Sequence, residues 1–202
     1  MIKPFLQHPA AKPLVFAVGL GPLVYLVGAA WSQQLGANPA EAIVRSTGDW
    51  TLRFLCAVLA VTPLRLLLQT PALARFRRML GLLAFGYGVL HFLSYSWFDM
   101  GFEVNDITQD IAKRPFILVG FCTLLVLSPL ALTSFNRAIK TLGAKRWQML
   151  HRLVYLAAPL ALLHFYWMRA GKQDFAEVFV YATILGVLLL ARVRWRARAK
   201  RA

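Results

Sequence analysis

The chain has 202 residues, 59% of them hydrophobic, and a formal charge of +15 from 23 Lys and Arg against 8 Asp and Glu. So apolar a composition, arranged in long runs, excludes an ordinary soluble domain and points to a membrane protein. The positive charge invites a nucleic-acid reading, but it lies in short segments between the apolar runs, where it reads as membrane topology.

Six spans are predicted, at about 13–31, 50–69, 79–98, 116–132, 148–168 and 175–193, each near the ~20 residues that cross a bilayer core. They make one all-α transmembrane domain over residues 1–202, with no room for a separate soluble domain. The first span follows Lys3 and Lys12 and superficially resembles a signal peptide. Its run from Leu14 to Trp31 is longer than a typical h-region, so a retained helix is expected. The second and fourth spans hold Cys56 and Cys122, which lack a CxxC partner and read as small packing residues.

Charges set the orientation. Lys3 and Lys12, then Arg75, Arg77 and Arg78, then Arg137, Lys140, Lys145 and Arg146, and finally the tail from Arg192 to Arg201 all fall on one side of a six-span chain. That side is expected to be cytoplasmic, with both termini there. The acids Glu41, Asp49, Asp99, Glu103, Asp106, Asp110, Asp174 and Glu177 lie in or beside the opposite segments. The basic tail is expected to anchor the last helix at anionic lipid, with no nucleic acid involved. In the connector FDMGFEVNDITQDIAKRP, Val104, Ile107 and Ile111 recur at helical spacing among acids. They predict either a short amphipathic helix on the outer surface or a solvated loop, and an acidic platform for a periplasmic partner is the sharper use.

The histidines carry the chemistry. An ionisable residue within a membrane helix marks a functional site by default. Counted from Arg78, His91 lies 13 residues into the third span, about 20 Å. Counted from Trp147, His164 lies 17 residues into the fifth, about 25 Å, and His151 only four, about 6 Å. His91 and His164 thus match in depth and suit the two axial positions of a b-type haem. No CxxCH occurs for covalent haem, and no thiolate or acid accompanies the pair to favour zinc. The alternative is a histidine that merely hydrogen-bonds between helices.

His151 is a candidate ligand for an inner cofactor, with Arg77, Arg78, Met79 or water completing the site. Thirteen residues at 100° each leave it about 220° from His164 on an ideal helix, so the two do not share a stripe unless Pro159 loosens the winding. Arg152 either pairs with a haem propionate or snorkels to the headgroups. Gly81, Gly86 and Gly88 thin one face of the third span, for a flat macrocycle or for close helix packing.

The segments RRMLGLLAFGYGVLHFLSY, DITQDIAKRPFILVG, SPLALTSFNRAIKTLGAKRWQMLHRLVY and HFYW together resemble the MsrQ (YedZ) family, over about residues 77–167. That family belongs with the ferric-reductase-like transmembrane cytochromes of bacterial inner membranes. The resemblance implies haem b held by His91, His164 and His151, with FMN as a further cofactor. It also implies an electron path from the quinone pool to a periplasmic molybdenum-cofactor methionine sulfoxide reductase. On this reading the chain is an electron-transfer subunit with no substrate chemistry of its own. One rival is a related haem carrier fed by a cytosolic flavin reductase. Another is a small transporter or passive scaffold, which the acids at the outer edge and the lack of a visible repeat disfavour.

Overall fold

A computed structural model describes residues 6–171 and 173–199, with the side chains of 196–199 left undescribed. The expectations placed on Lys3, Lys200 and Arg201 lie outside the described residues. The chain is helical: α1 Ala11–Trp31, α2 Pro39–Leu67, a 3-10 turn Pro71–Phe76, α3 Arg77–Phe98, α4 Val104–Lys113, α5 Pro115–Leu132, α6 Asn136–Leu150, a 3-10 turn His151–Leu153, α7 Val154–Ala170 and α8 Ala176–Ala199. Among the described residues, six stretches are long and apolar enough to cross a membrane. Packing divides the chain into two compact units, Met1–Glu103 and Val104–Ala202.

In the first unit, α2 and α3 form the principal helix pair. Leu55, Leu59 and Ala84 are almost completely buried. Hydropathy alone starts the second span at residue 50, whereas α2 begins at Pro39. The local reasons are plain. Pro39 takes the first helical turn, where its missing N–H costs nothing, and the Asn38 side chain caps it by accepting from the Glu41 amide at 3.1 Å. Glu41, Arg45, Asp49 and Arg53 then follow at four-residue spacing, with Glu41 and Arg45 paired at 2.8 Å. Asp49 and Arg53 are therefore inside a helix, and Asp49 is not at the edge of a span as hydropathy implies.

Helix α1 is apolar all round and has few capping or charged groups to fix it. Tyr87 of α3 does so. Its hydroxyl donates to the Gly19 carbonyl at 3.0 Å and accepts from the Leu23 amide at 3.1 Å. Those two backbone groups are the ones a continuous ladder would pair with each other, beside Pro22. Gly19 also lets α3 approach, since a Cβ there would stand 2.5 Å from the Leu83 side chain.

In the second unit, α5 and α7 form the main pair, and α8 packs on α7. The connector after α3 does form a helix, α4, with Arg114 paired to Asp110 at 2.9 Å. Helix α6 is broken at Gly143, whose φ of 75° is open to glycine and strained for other residues. Arg169 pairs with Asp174 at 3.1 Å and with Glu177, joining the end of α7 to the start of α8. Arg192, counted with the basic tail by sequence, lies within α8, buried, and donates to the Tyr155 hydroxyl at 2.8 Å.

Candidate functional site

His91 projects from α3 toward α2. Its Nδ1 lies 2.8 Å from the Val44 carbonyl oxygen. A carbonyl can only accept, so Nδ1 carries the proton and donates, which in a neutral ring puts the lone pair on Nε2. His164 of α7 repeats this against α5, with Nδ1 2.7 Å from the Phe116 carbonyl.

Each accepting carbonyl is followed four residues later by glycine: Gly48 after Val44, and Gly120 after Phe116. The spacing has a cause. In a helix the carbonyl of residue i points along the axis at the amide of residue i+4, so the side chain at i+4 stands over that oxygen. The oxygen has a second lone pair, but a side chain would cover it. Glycine uncovers it and admits the imidazole. A Cβ on Gly48 would sit 3.1 Å from His91 ring atoms, and one on Gly120 only 2.8 Å from those of His164. The Phe116 ring also stacks near His164, with centroids 6.4 Å apart. Each ring is thus held by a hydrogen bond at one nitrogen and by a helix backbone at its face. A metal-binding histidine commonly has its second nitrogen fixed in this way.

His151 is held differently. It lies in the 3-10 turn before α7, with Nε2 3.1 Å from the Thr133 hydroxyl and its ring stacked on Trp147 at 3.9 Å. Trp147 in turn donates its indole N–H to the Thr133 carbonyl at 2.8 Å. Thr133 caps the end of α5, and Phe116 is near its start. His151 and His164 therefore address opposite ends of one helix, although ideal winding would point them apart. The interruption is the 3-10 turn at His151–Leu153, followed by Pro159 within α7.

Arg77 and Arg78 are exposed at the start of α3, about 20 Å of helix from His91. They belong to the first compact unit, whereas His151 belongs to the second. Arg152 is exposed beside His151. Of the glycines singled out from sequence, Gly81 and Gly86 are not crowded, since an added Cβ meets nothing closer than Val58 at 4.0 Å. The glycines that make room for the two histidine rings are Gly48 and Gly120, which sequence inspection passed over. The readable sign was a glycine in the opening turns of a span that a histidine-bearing helix pairs with.

A family model described as ferric reductase like transmembrane component matches residues 47–162. Curated relatives of the chain carry the name protein-methionine-sulfoxide reductase heme-binding subunit MsrQ. The one from Polaromonas naphthalenivorans (strain CJ2) is 70% identical over 97% of this chain and 89% of its own. That from Herminiimonas arsenicoxydans is 54% identical over 94% and 87%. That from Caulobacter vibrioides is 40% identical over 96% and 90%.

Proposed function

Because the chain belongs to the MsrQ family of ferric-reductase-like transmembrane proteins, we propose that it is the haem-binding membrane subunit of a methionine sulfoxide reductase. It relays electrons from the quinone pool, across the bacterial inner membrane, to a periplasmic molybdenum-cofactor catalytic subunit. The observation that carries this reading is the twice-made histidine seat, with Nδ1 donated to a carbonyl and a glycine beneath the ring.

Haem b supplies one-electron chemistry through its iron. The chain's own residues do the rest. His91 and His164 would hold the haem iron through Nε2, each in the tautomer that Val44 or Phe116 favours. Gly48 and Gly120 fix the planes of the rings, and the apolar helices around them keep water out and so tune the potential. With the basic segments facing the cytoplasm, both histidines fall in the outer halves of their spans, the side from which a periplasmic partner takes electrons. His151 is the candidate ligand of an inner cofactor, where Nε2 would exchange the Thr133 hydroxyl for metal.

Purified protein is expected to show a Soret band and an α band that sharpens on adding a short-chain hydroquinone. Absence of both bands overturns the cytochrome reading. Reduction by a flavin reductase but not by hydroquinone overturns the quinone-pool donor and leaves the flavin-fed carrier.

A further inference from the structure

Helix α2 carries a second cluster of ionisable side chains that the histidine seat does not use. Arg45, Asp49 and Arg53 line a cavity of about 590 Å³ between α1 and α2, together with Ser46, Trp50 and, from α1, Gly21 and Tyr25. They follow Val44 and Gly48 by one residue or more along the same helix, so the cavity lies about 100° around α2 from the face that holds His91.

Its depth is unusual. Gly21 is the central residue of α1, whose 21 residues span about 31 Å and so match the hydrocarbon core. The Trp50 ring lies 6.4 Å from that of Tyr87, whose hydroxyl binds α1 at Gly19 and Leu23. Trp50 and its neighbours are therefore level with the middle of α1. Charges at that depth are costly and are kept where they serve a pathway or a ligand. The four-residue ladder from Glu41 to Arg53 lets these charges answer one another, and Arg53 also lies 4.7 Å over the Trp50 ring. That ladder explains how the charges are tolerated, but it does not fill the cavity.

The occupant must reach the site from lipid, because Tyr25 and Val24 beside it are about 70% exposed on α1. A phospholipid phosphate belongs at the headgroups, about 15 Å from mid-bilayer. A ligand at this depth needs a polar head that dissolves in hydrocarbon, flat enough to lie against Trp50 and Tyr25, with oxygens for guanidinium donors and a hydroxyl for a carboxylate. We infer that this cavity is the binding site for the head of a lipid-soluble hydroquinone, with Arg45 and Arg53 as donors to its oxygens and Asp49 as the acceptor of its phenolic proton. The inference rests on the hydroquinone-fed relay proposed above and gives that relay its entry site. Oxidation of one hydroquinone yields one quinone, two electrons and two protons. Bound haem would take the two electrons one at a time, and Asp49 would accept the phenolic protons in turn, passing each on before the next.

The test uses the full-length protein in lipid nanodiscs and a photoreactive azidoquinone as probe. Labelled peptides are expected to map to residues 21–25 and 42–53, with labelling suppressed by unlabelled quinone. Label confined to other helices overturns the site, whether or not haem is reduced. In parallel, Asp49→Asn and Arg53→Gln are expected to slow haem reduction by hydroquinone about ten-fold or more, the worth of roughly one charged hydrogen bond. Their dithionite-reduced spectra should stay unchanged. Wild-type rates in both variants overturn the assignment of these residues. A wild-type haem that hydroquinone does not reduce overturns the relay itself, and the labelling pattern then judges the site independently.

Discussion

The α2–α3 pair and the α5–α7 pair have unlike sequences, yet each seats a histidine in the same way. In both, Nδ1 donates to a carbonyl early in the partner helix, and the residue four further on is glycine. The two differ in tightness. A Cβ would meet the ring at 3.1 Å over Gly48 and at 2.8 Å over Gly120. His151, by contrast, is held at Nε2 by a side-chain hydroxyl and stacked on an indole. The comparison teaches that the chain holds an imidazole in two ways. A carbonyl at Nδ1 fixes the tautomer whose lone pair is on Nε2, while a hydroxyl at Nε2 can accept or donate and fixes none.

The strongest challenge to that equivalence is deletion of each ring. His91→Ala and His164→Ala are each expected to lose most bound haem, while His151→Ala keeps the bulk of it, as read by the haem-to-protein ratio of purified protein. Unequal loss from the first two would break the symmetry of the seats.

The glycines sharpen the comparison at intermediate scale. Overpacking a fitted site costs about 1–3 kcal/mol. Replacing a helical glycine with alanine returns up to ~1 kcal/mol. Gly120→Ala, at the closer contact, is expected to lower the thermal midpoint of the haem-loaded protein. Gly48→Ala should leave that midpoint nearly unchanged and still alter the low-spin haem EPR signature, because the ring must turn. An unaltered EPR signal in both would show that the glycines do not set the ring planes.

The smallest effect is expected at the other kind of site. Thr133→Val removes the hydroxyl that His151 meets, and interhelical hydrogen bonds in membranes average about 0.6 kcal/mol. Detergent unfolding should register a loss of that order, with the Soret band of the outer haem unmoved. A shifted Soret band would join His151 to the same cofactor as the other two histidines.

Much of this was legible in the residues themselves. Six apolar stretches need only counting, and a histidine inside a span needs only to be noticed. The seats needed tertiary register, because His91 and Val44 are 47 residues apart and His164 and Phe116 are 48 apart. No single-sequence pattern pairs them, which is why the repeat went unseen. The early start of α2 was hidden for another reason. A hydropathy window reads Glu41, Arg45 and Asp49 as loop and starts the span just after them, although their four-residue spacing, continued by Arg53, is the mark of one helix face. The angular mismatch between His151 and His164 was computed for ideal winding, and a 3-10 turn is not announced by the residues HRL.

The Tyr87 hydroxyl inside α1 has a consequence for biogenesis. The backbone of the first helix is bonded by a side chain 64 residues later in the chain. At about 5–20 residues per second of synthesis, the first helix waits roughly 3–13 s in the bilayer before that hydroxyl exists. Until then Gly19 and Leu23 must satisfy each other across Pro22, as a self-sufficient helix free to turn and slide in lipid. Arrival of the third helix adds the Tyr87 hydroxyl to both groups and captures α1 at one height and one rotation. The first helix is thus inserted early but registered late, and the wall it contributes to the α1–α2 cavity is set only when Tyr87 arrives.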